Sequence, residues 1–287
     1  MKDKVEFKKM REFGDIIGDT FLFIKQNFIP LLKAFFYLTG VFIIAGMASS
    51  IITQLELGSL TRDKSGIAGM LMSNSMERLY QLALNYVFVV VFMMLMYTSM
   101  YVSILSYIAL YIKKGNEAPT VTEVWGYYKY YFFRVLGSGV LMSIFLFLCF
   151  MCCILPGIFV FPAVSLFYAI MILENASFSY SFGRSFKLLS GEWWTTAASL
   201  LIIYIIFYAC TLVVQLPAVI ITMASAFSSK PGAISRSYVF ITSISSYASL
   251  VFMIIPVVCS ALLYFDLVER KESLGLLSRI EDLGKED

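Results

Sequence analysis

Apolar residues in this chain arrive in long runs broken by short polar segments. Charge-free stretches extend from Ala34 to Leu55, Leu79 to Ile112, Val135 to Leu173, Trp193 to Ser229 and Ser237 to Phe265. Each exceeds the roughly 20 residues that cross a hydrocarbon core of about 30 Å, so each is a spanning candidate. The third, as one helix, would reach roughly 58 Å, nearly twice the core. Near its midpoint stands Leu155-Pro156-Gly157. Pro ends a helix and Gly permits a turn, so two spans joined by a tight hairpin at Pro156 and Gly157 are expected.

The pattern therefore predicts an all-α polytopic membrane protein with six spans, near 30–53, 84–112, 135–154, 158–174, 194–221 and 240–267. The second begins equally well at Leu79. Residues 1–287 read as a single membrane domain: an interfacial helix and span in 12–54, a span in 79–112, an interfacial helix with two spans in 120–174, another interfacial helix and span in 176–221, a span in 240–267 and a charged tail in 268–287.

Three polar segments carry helical periodicity. In residues 13–28, Phe13, Ile16, Ile17, Thr20, Phe21, Ile24 and Phe28 share a face opposite Asp15, Asp19, Lys25 and Gln26. In 120–135, Thr120 and Glu123 form a capping box after Pro119, and Val121, Val124, Trp125, Tyr128, Tyr131 and Phe132 make the apolar side. In 176–189, Phe178, Phe182, Phe186 and Leu189 lie together while Arg184 and Lys187 point away. Each is expected to lie in the cytoplasmic membrane interface. Because each precedes a pair of spans, a threefold parallel repeat is one interpretation; amphipathic linkers without common ancestry are the other. In the tail, Leu276, Ile280 and Leu283 share a side, for docking on the protein or for a solvated helix.

Composition agrees with the pattern: the chain is 60% hydrophobic and 14% charged, with mean hydropathy +0.82. The basic residues supply direction. With the N-terminus inside, 16 of the 22 Lys and Arg fall on the cytoplasmic side, and only Arg62, Lys64, Arg78, Lys230 and Arg236 fall opposite, with Lys33 at the inner boundary of the first span. Both termini are expected in the cytoplasm, in a multi-pass inner membrane protein. No cleavable signal peptide is read near Met1.

Chemistry is narrowed by exclusion. The chain has no histidine, which removes Ser-His and Cys-His hydrolases and His-dependent metal sites. Cys149, Cys152, Cys153, Cys210 and Cys259 fall within the predicted spans and read as small reduced hydrophobes. Apart from Glu174 and Asp266 at span ends and Lys33 at the inner boundary of the first, the predicted spans hold no Asp, Glu, Lys or Arg, the usual groups of ion-coupled transport; Asn85 and Gln215 are their strongest interior polar residues, and Pro162, Pro217 and Pro256 are candidate kinks. No catalytic residue, metal, cofactor or nucleic-acid partner is expected. Glu174, Arg184, Ser185, Lys187, Asp266 and Arg270 are the candidate residues for lipid headgroups or for structural ties, because they stand at span ends or in the interface.

"LEN" at 173–175, "SFGRSFKLLSGEWW" at 181–194, the upstream "LPG" and "YFDLVERKE" at 264–272 resemble a bacterial inner-membrane family of unknown function. That family is similar to the membrane domain attached to some glycerophosphodiester phosphodiesterases. The resemblance covers about residues 12–284, through Glu174, Arg184, Ser185, Leu188, Gly191, Tyr264 and Asp266, and implies a six-helix membrane module without the catalytic barrel. The expected function is a non-enzymatic scaffold or interaction module in envelope or lipid homeostasis, in contact with membrane lipids, anionic headgroups among them, and with a second copy or another membrane protein as further partners. The alternative is a passive carrier or channel for a lipid or neutral solute.

Topology is testable directly. Gly115 and Gly183 are expected to face the cytoplasm, and Ser65 and Gly232 the opposite side. Labelling of Gly183→Cys in intact cells by a membrane-impermeant thiol reagent would overturn this orientation.

Overall fold

The computed structural model describes residues 4–62, 76–152, 154–226 and 236–272, which contain helices and no strand. In chain order these are α1 (Phe13–Gln26), α2 (Phe28–Arg62), α3 (Met76–Lys113), α4 (Val121–Cys152), α5 (Ile154–Leu173), α6 (Phe178–Leu189), α7 (Trp193–Ala226), α8 (Arg236–Ala248), a 3₁₀ turn (Ser249–Met253) and α9 (Ile254–Glu272). Ser65, Gly232, Cys153 and the tail residues Leu276, Ile280 and Leu283 lie outside the described residues.

Among the described residues, six helical segments are long and apolar enough to cross a membrane: Phe28–Gly58, Tyr80–Lys113, Val121–Met151, Pro156–Leu173, Trp193–Met223 and Ser237–Glu272. The protein is an all-α polytopic membrane protein. On α7, Leu201, Ile205, Tyr208, Leu212, Leu216 and Ile220 are all more than half exposed, an outward apolar stripe suited to lipid. The last span is the opposite case. From Met253 to Tyr264 every residue is buried, so the first turns of α9 form a core segment.

Contacts divide the chain into two compact units. One comprises Met1–Leu38, Thr98–Phe207 and Met253–Asp287; the other comprises Thr39–Tyr97 and Tyr208–Phe252. In the first, α9 packs on α1, α5 and α6, while α5 packs on α4 and α6. An aromatic cluster surrounds Phe7, whose ring meets Phe23, Tyr111 and Phe265 edge-on at 5.1, 6.1 and 5.6 Å. In the second unit, Gln54 Nε2 donates to Ser243 Oγ at 3.3 Å, and Asn85 Nδ2 donates to Glu56 Oε2 at 2.5 Å. Asn85 thus has an acidic partner that the predicted first span, ending at 53, left outside the membrane segment; α2 runs on to Arg62.

Four features differ from expectation, and proline explains two of them. Pro156 and Gly157 are not in the hairpin turn. α4 ends at Cys152 and α5 begins at Ile154, so Pro156 stands third in α5, as Pro30 does in α2 and Pro256 in α9. The first-turn amides of a helix have no intrahelical acceptor, so proline there sacrifices no bond, whereas it denies one to the carbonyl four residues earlier. These prolines mark helix starts. By the same rule the predicted continuous span 240–267 is interrupted, with the 3₁₀ turn directly before α9, whose third residue is Pro256. Pro162 and Pro217 remain inside α5 and α7.

The third difference is at 120–135, where no separate interfacial helix forms: Val121 begins a helix that continues to Cys152. Nothing in that segment breaks the backbone ladder, and its Thr120–Glu123 cap, with Thr120 N donating to Glu123 Oε2 at 2.7 Å, starts the helix without ending it. The other two interfacial segments do form short helices. Asn27 separates α1 from α2; its amide donates to Phe23 O, and its buried side chain accepts from Tyr107 Oη at 3.0 Å.

The fourth difference concerns which faces are covered. On α1 the buried residues are Ile16, Thr20 and Phe23, while Phe13, Phe21 and Phe28 are exposed. On α6 they are Ser181, Ser185, Leu188 and Leu189. The α6 phenylalanines are half-buried, with Phe178 against Phe167 and Phe182 against Phe145. A small-residue face lets α6 approach its neighbours closely, so packing against protein takes precedence over wetting the aromatic stripe with lipid.

Gly157 serves close approach within the α4–α5 hairpin: a Cβ there would stand 2.5 Å from the Phe150 ring. Gly157→Ala is expected to cost about 1 kcal/mol, the low end for overpacking, because half-exposed Phe150 can swing outward. Thermal unfolding in detergent should show this loss relieved in Gly157→Ala/Phe150→Ala relative to Phe150→Ala alone. Equal costs in both backgrounds would contradict the contact.

Candidate functional site

The polar words that stand out in the sequence converge on the last turns of α9. Glu174 follows α5, and its Oε1 accepts from Tyr264 Oη at 2.8 Å and from Arg184 Nε at 3.1 Å. Arg184 in turn grips Glu272 with both terminal nitrogens, at 2.5 and 2.9 Å. This two-pronged geometry suits a planar guanidinium on a carboxylate. The Glu272 carboxylate is the main cause that raises the Arg184 guanidinium above its ordinary pKa. A hydrogen bond with Glu174 likewise raises the Tyr180 phenol.

Backbone geometry positions these groups. Asn175, with φ of 50°, ends α5 in the left-handed region, and its side-chain oxygen accepts from Arg134 Nη1 at 2.8 Å. Ala176 N then donates to Met171 O at 3.1 Å, a bond that closes the helix end. Ser177 starts α6 by accepting from Tyr180 N. At the other end Gly191, with φ of 86°, makes the turn into α7, and Lys271 Nζ donates to the Lys187 and Ser190 carbonyls at 2.8 and 2.7 Å. Three elements are thereby fastened together: the α5 terminus, α6 and the end of α9.

A second cluster lies on Asp266, which is 4% exposed. Its Oδ1 accepts from the backbone amide of Arg11 at 2.7 Å, and its Oδ2 from Arg270 Nε at 2.9 Å. Arg270 also donates to the Arg11 carbonyl. The Arg11 side chain is fully buried, and its donors reach Asp19 Oδ2 at 2.9 Å and the carbonyls of Phe7, Lys9 and Glu6. A buried carboxylate and a buried guanidinium are tolerable only with such pairing.

Of the candidate residues, Glu174 and Arg184 fall in the first cluster, and Asp266 and Arg270 in the second. Ser185 is buried and donates to Phe182 O at 2.8 Å; the Lys187 side chain is exposed while its carbonyl accepts from Lys271. Arg184 does not point freely into solvent as its helical phase implied: its side chain is 13% exposed, between Glu174 and Glu272. Sequence reasoning missed Arg11, Asp19 and Glu272. Arg11 had one available signal, as the lone arginine among the lysines ahead of α1.

The side chains named in these two clusters bond to one another or to backbone atoms. Among the described residues no three His, Cys, Asp or Glu side chains converge as a metal-ion site. What this arrangement does chemically is join chain segments. The fold and this site define an integral membrane protein, with six helical segments among the described residues long and apolar enough to span. Compared with known proteins, the chain matches no protein-family model, no curated protein and no solved structure.

Breaking the second cluster has a predictable cost. Arg11→Ala takes the donor from the Glu6, Phe7 and Lys9 carbonyls and leaves half-buried Asp19 with Lys9 at 3.9 Å, and is expected to destabilise by about 3 kcal/mol. Arg11→Lys restores the charge but not the five-donor fork, so it should recover only part. Thermal unfolding in detergent and protease sensitivity of residues 4–12 would measure both effects. Wild-type stability and protection in Arg11→Ala would refute the clamp.

Proposed function

We propose that this is a non-enzymatic membrane scaffold or interaction module, seated in a bacterial inner membrane with both termini cytoplasmic and serving envelope or lipid homeostasis. The observation that supports this most is the use of the polar residues: Glu174, Arg184, Glu272, Arg11, Asp266 and Arg270 are spent on holding segments together. A reactive centre keeps a group poised for substrate, and these clusters are closed on themselves. The resemblance of the "LEN", "SFGRSFKLLSGEWW" and "YFDLVERKE" segments to a family of membrane modules supports the same reading. It gains from the geometry, since those words contain the residues of the ties.

The alternative of a passive carrier or channel is separated by reconstitution. Purified protein in proteoliposomes is expected to leave the permeability of small neutral solutes and the rate of lipid flip-flop at the protein-free level. In-cell crosslinking is expected to recover a defined membrane-protein partner. Accelerated flux that disappears on removal of the protein would replace the scaffold reading with the carrier one.

A further inference from the structure

One surface feature lies apart from the two clusters. The first turns of α2 and α4 enclose a groove of about 860 Å³, lined by Ile29, Lys33, Phe36 and Tyr37 on one side and Thr122 and Trp125 on the other. The α2 residues fall at i, i+4, i+7 and i+8, so they form one face of the helix. That face is open: Ile29, Phe36 and Tyr37 are each more than half exposed, and Trp125 is 39% exposed.

The charge at the groove is positive. Lys33 is exposed, and among the described residues no acidic side chain forms an ion pair with it. Lys129 stands with its ammonium 4.9 Å from the Trp125 ring centre. The nearest acidic residue along α4, Glu123, is already engaged by Lys114 at 3.0 Å and by Thr120. A negative ligand therefore meets cations without a built-in competitor.

We propose that this groove binds an anionic phospholipid, with an acyl chain along Ile29, Phe36 and Trp125 and the phosphate at Lys33. The occupant follows from position and chemistry together. Both walls are the beginnings of spanning segments, where the headgroup layer passes into hydrocarbon. Tyr37 and Trp125 are amphipathic rings suited to that depth, and a lysine stem reaches from the apolar wall to the phosphate. A basic groove between spanning helices selects negative headgroups over zwitterionic ones. This inference requires only that the chain sits in a bilayer, and it stands whether the protein is a scaffold or a carrier.

The test uses the full chain purified in detergent, titrated with phosphatidylglycerol or phosphatidylcholine, with bound lipid counted by native mass spectrometry. Phosphatidylglycerol should bind more tightly. Lys33→Gln should weaken it about fivefold, the factor equivalent to ~1 kcal/mol for one basic residue at an anionic headgroup, and leave phosphatidylcholine unchanged. Lys33→Arg should retain the preference, Trp125→Ala should weaken both lipids, and Lys8→Gln, remote in sequence and exposed, should change neither. All variants should elute as the wild type does on size exclusion, which separates lost binding from lost folding. Equal affinity for the two lipids, or an unchanged preference in Lys33→Gln, would overturn the proposal. Efficient disulfide crosslinking of two copies through Thr122→Cys would overturn it in favour of a self-association surface.

Discussion

Burying the Asp266 carboxylate forces the arrangement of everything around it. A lone ion in such surroundings costs several kcal/mol, so the fold supplies the Arg11 amide on one side and the Arg270 guanidinium on the other. Meeting that demand fixes the segment before α1, which then buries Val5 and Phe7 and places the Phe7 ring among Phe23, Tyr111 and Phe265. Once Arg11 is drawn in, its own charge requires Asp19 and three carbonyls, which secures the first turns of α1. One buried oxygen pair thus organises a polar N-terminal segment that has no apolar periodicity of its own.

The spans were legible because a charge-free run longer than the bilayer core has few alternatives as structure. Helix breaks were less so. Proline at 156 and 256 was read as a terminator or a kink, whereas its missing amide fits the first turn of the next helix, where no bond is lost. The two meanings differ by only a few residues in sequence but place Pro156 within α5 and set a 3₁₀ turn within the sixth span. The amphipathic segments show the complementary limit: periodicity identifies a face but not what covers it. In 176–189 the aromatic stripe dominated the pattern, yet Ser181 and Ser185, small enough for close contact, lie on the deeply buried side.

Long-range partners were the least legible feature. Glu174, Arg184, Asp266 and Arg270 were recognisable as charges at span ends, and their spacing could not show that Arg184 is shared between Glu174 and Glu272, 88 residues away. Arg11 was hidden more completely, since its segment reads as a basic, solvated leader. Its partner lies 255 residues further along the chain. Such pairings depend on which helix ends the fold brings together, information that local periodicity does not contain.

The use of charge here follows from the solvent. Lipid tails are as apolar as leucine, so burial alone provides little preference for one helix–helix contact over a helix–lipid contact. Directional polar ties supply that preference, and placing them at span ends avoids the cost of charge at the bilayer centre. Polar words between apolar runs, such as "SFGRSFKLLSGEWW", therefore signify assembly before they signify chemistry. A charge that enters no such tie has a different standing. Lys33 belongs to that class: it sits on an open aromatic groove, and among the described residues it forms no ion pair.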